Sequence, residues 1–187
     1  YVERMSSPVP DVKAPKVENA GGNTDKVDWG KAAPIGDKWY KRGGMEPASL
    51  KLSGRICHDD EYLYLELTDD IATDKLVVSP QIACYDDWEL VIARQKAQPF
   101  RQYLVGPTAM TAALSYGELN WRQGVNSKEH GGESVFGLKA KSDTSGGKWV
   151  TRLAFPLKTM SDQPIKPGDA LYMNVMRVGG PNSCGEY

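Results

Sequence analysis

Cysteine is scarce in this sequence: Cys57, Cys84 and Cys184 are the only three in 187 residues, widely spaced and without a CxxC pair. That pattern excludes a zinc ribbon and a covalently attached haem. Two readings remain, reduced or indifferent thiols, or one disulfide with a thiol left over in an exported protein, and spacing does not choose the pair. Long apolar runs are missing as well; the longest fall far short of the roughly 18–20 residues that span a bilayer. There is no excess of either charge, with 23 Lys and Arg against 24 Asp and Glu. Neither a nucleic-acid footprint nor a polybasic membrane patch is therefore indicated. No signal peptide is visible, and the chain begins abruptly at Tyr1, as a fragment or a mature form with its targeting segment removed would.

What is present is glycine and proline, 19 and 12 residues, without long amphipathic periods. That combination points to an all-β chain rich in turns, with length enough for one ordinary domain and a proper core. Residues 1–24 carry Pro8, Pro10, Pro15 and Gly21-Gly22 without an apolar period, and read as a linker or extended arm. The domain proper is expected from Asp25 to Tyr187. Alternation predicts strands at Ile35–Tyr40, Ser49–His58, Glu61–Thr68, Trp88–Ala93, Arg101–Val105, Met110–Tyr116, Ser134–Lys141, Lys148–Phe155 and Leu171–Val178. Leu63, Leu65 and Leu67 point inward, while Tyr62, Tyr64 and Glu66 point outward. Asp59-Asp60 forms a tight turn, and Leu157–Met160 a single helical turn. Strands at this spacing argue for an antiparallel sandwich or barrel.

The order VDWGKAAPI, HDDEYLYLELTDD, DDWELVIA, FRQYLVGP, KWVTRLAFPLKTM, GDALYMNVMRV resembles the family 9 carbohydrate-binding modules and their DOMON-like relatives. The likeness covers about residues 25–178. It implies an antiparallel, jelly-roll-like β-sandwich that binds sugars, with structural calcium nearby. It also implies a late Trp-containing loop and a closing strand after Tyr187, so that the sandwich is expected to be truncated at its C-terminus. Departures from the family pattern are specific. Arg152 stands at a common Glu position, Leu104 where sugar-binding members present an arginine, and Ser79-Pro80-Gln81-Ile82 where a tryptophan is expected.

Sugar recognition needs flat apolar faces against the C–H side of a pyranose and planar polar groups that grip neighbouring hydroxyls. The candidates are Glu89, Gln102, Tyr103, Asn174 and Arg177, with Trp39, Trp88 and Trp121 as platforms. Trp121 follows a polar loop, whereas Trp88 and Trp149 sit in alternating strands and also read as core. Trp29 reads as the anchor of the opening turn. Arg177 and Glu89 could equally pair across the sheet. Asp59-Asp60, Asp69-Asp70 and Asp86-Asp87 are possible oxygen ligands for calcium, with Asp69 and Asp86 the expected contributors, although hairpin turns favour Asp for backbone reasons alone.

Catalysis has no comparable signature. His58 and His130 are the only histidines, neither beside a nucleophile motif, and the Gly-Gly pairs lack the setting of a phosphate cradle. The expectation is a non-catalytic accessory module of a larger exported carbohydrate-active protein, secreted, periplasmic or at the cell surface. Its partners would be an oligo- or polysaccharide and attached catalytic or adhesion domains. Two alternatives stand beside it. One is a haem b-binding DOMON-like domain drawing an axial ligand from Met110, Met173, Met176, His58 or His130. The other is a degenerate sandwich kept for docking.

Overall fold

The computed structural model describes residues 10–36, 38–41, 46–78, 85–117, 123–125 and 135–179, with backbone alone at 123–125 and 135. Its strands are β1 (Ala33–Pro34), β2 (Leu52–His58), β3 (Tyr62–Asp69), β4 (Asp87–Ala93), β5 (Phe100–Val105), β6 (Thr111–Tyr116), β7 (Gln123–Val125), β8 (Lys139–Asp143), β9 (Trp149–Pro156) and β10 (Tyr172–Val178). They form two antiparallel sheets, the first in the order β1-β2-β3-β9-β8 and the second in the order β10-β4-β5-β6-β7. The all-β sandwich is as the alternation predicted.

Period-two sequence explains the core. Leu63, Leu65 and Leu67 of β3, with Leu153 and Phe155 of β9, meet Trp88, Leu90 and Ile92 of β4 and Tyr103 and Val105 of β5. Each such side chain, fully buried, stabilises the fold by about 1.5–3 kcal/mol. Trp88 lies between Trp39 and Trp149, with ring centres 6.0 and 5.7 Å away. Trp39 and Trp88 are thus part of the packing rather than free platforms.

Two predicted strands are corrected. At Ile35–Tyr40 the ladder is only the pairing of Ala33 and Pro34 with Ile56 and Arg55, and the segment then leaves the sheet so that Trp39 can pack on Trp88. At Ser134–Lys141 the chain makes a short 3-10 turn over Val135–Gly137 before β8 begins at Lys139.

The outward face of β3 is not open to solvent. Tyr64 is fully buried and Glu66 is 6% exposed, because the amino-terminal arm lies across the first sheet. Val17, Ala20 and Val27 form a second small core there with Cys57, Tyr64 and Ala154. Val17 N–H donates to His58 O at 2.8 Å, and His58 N–H donates to Pro15 O at 2.9 Å. Gly22 adopts φ 76°, and a Cβ there would lie 2.8 Å from the Tyr62 ring, so only glycine fits this close approach. The expected linker is, over its second half, a packed layer. Cys57 beneath it is a free thiol whose pKa is pushed up to about 11, mainly by burial and then by the Asp59 charge. Cys84 and Cys184 lie outside the described residues.

Asp59 anchors the arm. Its carboxylate accepts from Ala20 N–H (3.0 Å), Glu61 N–H (2.8 Å), Tyr62 N–H (2.7 Å) and Tyr64 O–H (2.5 Å). Burial opposes the charge, but these hydrogen bonds outweigh it and hold the pKa below the usual 3.8. Asp59→Ala is expected to cost about 2–3 kcal/mol, since it strands a buried hydroxyl and several N–H groups. The depressed pKa makes this contribution present above the ordinary carboxylate range and lost as pH falls through it. Urea unfolding of the variant at pH 7 and pH 3 checks both points; an equal deficit at the two pH values would contradict the ionic part.

Outside the arm, Glu66 receives Arg152 Nε at 2.8 Å and the Arg55 guanidinium, and Trp29 lies about 6 Å from both guanidiniums. Arg152, the departure from the family pattern, is therefore half of a structural ion pair. No helix among the described residues is long and apolar enough to cross a membrane.

Candidate functional site

The outer face of the second sheet follows from register. Trp88, Leu90 and Ile92 point into the core, so Glu89 and Val91 point away from it. Their cross-strand neighbours share that face: Leu104 and Gln102 on β5, Met176 and Asn174 on β10. One strand further, Ala112, Leu114 and Tyr116 of β6 lie opposite Leu104, Gln102 and Phe100.

A polar relay crosses this face. Tyr116 O–H donates to Gln102 Oε1 at 3.1 Å, and Gln102 Nε2 donates to Glu89 Oε2 at 3.1 Å. The glutamine amide is oriented by a donor on one side and an acceptor on the other, which fixes which end meets a ligand. Beside it the rings of Phe100 and Tyr116 stack with centroids 4.5 Å apart and planes 22° from parallel. A carboxylate acceptor, an oriented amide and a flat apolar surface thus adjoin on one face, a combination that suits a polyhydroxylated ring. Asn174 is exposed on the same face.

The other named residues go elsewhere. Tyr103 is fully buried, with its hydroxyl on Met160 O at 3.0 Å; it alternates with Gln102 and so belongs to the core, not to a sugar site. Trp121 lies outside the described residues. Leu104 is 3% exposed directly opposite Glu89 and offers no hydrogen bond where an arginine was the family expectation. Tyr116 and Phe100 were not singled out from the sequence. Their signal is the β5–β6 register, which pairs Phe100 with Tyr116 and sets Gln102 one step away.

Arg177 is also corrected. It faces the core opposite Trp88, away from Glu89, and bridges the two sheets. Its Nε donates to Asp69 Oδ2 of β3 and its Nη2 to Asp86 Oδ1, each at 2.7 Å, with every side chain at most 3% exposed. The guanidinium also lies 4.8 Å from the Trp149 ring centre. Asp86 Oδ2 accepts Val77 N–H at 2.6 Å. The two carboxylates expected to hold calcium do not fit that role, because a fixed cation already lies between them. Among the described residues no group of three or more His, Cys, Asp or Glu is arranged to hold a metal ion. Burial, opposed by Arg177, leaves the Asp69 pKa raised.

Asp87 occupies the closed end of the outer face. It is fully buried, and among the described residues neither carboxyl oxygen has a hydrogen-bond partner. Its pKa is pushed up to about 8, first by burial and then by the Glu89 charge, with Arg177 pulling the other way and Asp86 adding to the rise. It is therefore largely protonated at neutral pH.

Residues considered for haem are dispersed. Met173 and Met176 take opposite faces of β10, with Met173 packed on the core. His58 Nδ1 is 2.8 Å from Asp59 O. His130 lies outside the described residues. The space between the sheets is filled by Trp88, Trp149, Tyr103 and Phe155, so these residues do not fit a haem held there.

Comparison of the fold with solved structures identifies its type. A family 9 carbohydrate-binding module from Caldicellulosiruptor kristjanssonii, in complex with glucose, superimposes with a TM-score of 0.61 at 8% identity, over 89% of this chain and 77% of that one. The fold is that of a family 9 carbohydrate-binding module. A structure of such a module from the same organism with cellotriose gives a TM-score of 0.54 at 8% identity, over 89% and 76% of the two chains. A Bacteroides uniformis protein classed provisionally as carbohydrate-binding gives 0.62 at 12% identity, over 90% and 83%. A scan against protein-family models and a search of curated proteins find no match. The likeness in backbone geometry thus holds at 8–12% identity. In this family 9 fold the Tyr116–Gln102–Glu89 relay crosses the face of the second sheet that points away from the core.

Proposed function

We propose that this chain is a non-catalytic module that binds an oligo- or polysaccharide on the outer face of its second sheet. The observation that carries the reading is the relay from Tyr116 through Gln102 to Glu89 beside the Phe100–Tyr116 stack. It occurs in a fold shared with modules seen in complex with glucose and cellotriose. Glu89 accepts from vicinal hydroxyls, Gln102 holds that carboxylate in place, the stacked rings take the apolar side of the sugar, and Asn174 adds a neutral contact. The module works within a larger exported carbohydrate-active protein, keeping an attached catalytic or adhesion domain near its polymer.

Binding is reversible and modest, with Kd on the order of micromolar to millimolar, because each hydroxyl exchanges water for protein at little net gain. A glycan array followed by calorimetry tests the reading. Glu89→Ala and Gln102→Ala are expected to abolish binding while Tm stays near wild type. Tyr116→Phe keeps the ring but removes one hydrogen bond, worth about 0.5–1.5 kcal/mol, and is expected to weaken binding roughly two- to tenfold. Normal binding by both alanine variants would move the site off this face. A blank array with folded protein would favour docking instead.

A further inference from the structure

Two strands of the outer face carry the same three-residue pattern: an aromatic ring, an inward residue and a side-chain amide. On β5 it is Phe100-Arg101-Gln102, and on β10 it is Tyr172-Met173-Asn174. In each, period two puts the first and third side chains on the outer face, since Tyr103 and Met173 pack on the core. β4 lies between the two strands. Its register pairs Val91 with both Gln102 and Asn174, and Ala93 with Tyr172. One step beyond the Ile92–Arg101 pair, Phe100 comes beside Ala93.

Both strands run antiparallel to β4 and therefore run the same way, which sets ring level with ring and amide level with amide. Two strand spacings, about 10 Å, separate the two copies. The side chains of Tyr172, Ala93, Phe100 and Tyr116 form one row across the sheet. Asn174 and Gln102 belong to a parallel row two residues along. Tyr172 is 41% exposed and Asn174 is exposed as well, so the copy on β10 is reachable from solvent. Lys96 Nζ lies 5.5 Å from the Tyr172 ring centre. Such an exposed cation–π contact is of the weak kind, and a sugar ring can share or displace it.

We propose that Tyr172 and Asn174 form a second saccharide subsite, and that the ligand is an extended chain crossing the strands from Phe100 to Tyr172. The subsite rests on the saccharide reading of the Glu89–Gln102–Tyr116 face. In an extended β-1,4-linked chain every second pyranose presents the same face, and two units span roughly two strand spacings. The first and third rings then meet the same pair of groups, an aromatic face and an oriented amide, while the middle ring lies over Ala93. A monosaccharide fills one subsite. A trisaccharide is the shortest chain that fills both.

The test is calorimetry of the full chain with β-1,4-linked gluco- and xylo-oligosaccharides of one to four units. In one of the two series the wild type is expected to bind the trisaccharide at least tenfold more tightly than the disaccharide, with little further gain at the fourth unit. Tyr172→Ala is expected to remove that step. Tyr172→Phe is expected to keep it, because the ring and not the hydroxyl makes the contact. Asn174→Ala is expected to shrink it. A thermal melt confirms that each variant is folded, as substitution at exposed positions should allow. Equal affinity for disaccharide and trisaccharide in the wild type would overturn the proposal while leaving the first subsite standing. So would a step that survives Tyr172→Ala. If folded wild type binds no member of either series, the saccharide reading of the face fails and the second subsite fails with it.

Discussion

Replacing Arg177 with methionine is expected to destabilise the protein by about 3–5 kcal/mol, the usual cost of removing one partner from a buried ion pair. For a chain of this size that lowers Tm by roughly 10 °C. The reason is what remains. Asp69 of the first sheet and Asp86 before β4 each lose a 2.7 Å contact, and both carboxylates stay at the same buried end as Asp87. The triple variant Asp69→Asn, Asp86→Asn, Arg177→Met is expected to recover part of the loss, because the damage lies in the stranded charges more than in the missing attraction. Chelator is expected to leave the wild-type Tm unchanged, since the guanidinium supplies the positive charge between the sheets. Thermal melts of the three proteins, with and without chelator, settle these points. A Tm for Arg177→Met within a degree or two of wild type would show that the bridge contributes little.

Asp87→Asn is expected to do the opposite and stabilise. In the folded chain the Asp87 pKa rises from 3.8 to about 8, so between those values the folded state binds a proton that the unfolded state releases. Stability therefore falls as pH rises across that window, and the penalty is complete above it. Each tenfold change in proton affinity is worth about 1.4 kcal/mol, which puts the full penalty on the order of 6 kcal/mol. Asparagine mimics the protonated carboxyl. The variant and the wild type should therefore agree near pH 4 and diverge steadily up to pH 8, with the variant the more stable. Denaturant unfolding at several pH values reads this directly. Parallel curves would mean that Asp87 ionises normally in the folded chain.

Much of the sandwich could be read from alternation, because strands with one face in a core must alternate. Leu63, Leu65 and Leu67 of β3 illustrate it. The same rule assigned Tyr64 and Glu66 to the other face but not their burial, since what covers them is an arm without a period. Val17, Ala20 and Val27 touch the sheet at isolated points along an extended, turning chain, and irregular spacing leaves no pattern to detect. At the candidate site, Glu89 and Gln102 stand at positions that the family resemblance singles out, and the β4–β5 register sets them on one face. Tyr103 was misread by treating adjacency in sequence as adjacency in space, although period two sets it opposite Gln102. Arg177 and Asn174, three residues apart on one strand, had to fall on opposite faces for the same reason. Tyr116 was hidden because its partnership with Gln102 exists only once β5 and β6 are in register.

The arm has a consequence for how many things the domain can hold at once. A bare sandwich has two broad sides and could in principle lie between two polymer chains. Here one side is roofed by residues of the same chain, tied down at Asp59 and His58. On the other, the face of β10, β4, β5 and β6, Asn174 is exposed while Glu89, Val91 and Gln102 are half-buried. One of the two broad sides is therefore already taken by the chain itself, and a polymer lying flat on a sheet has only the other to meet.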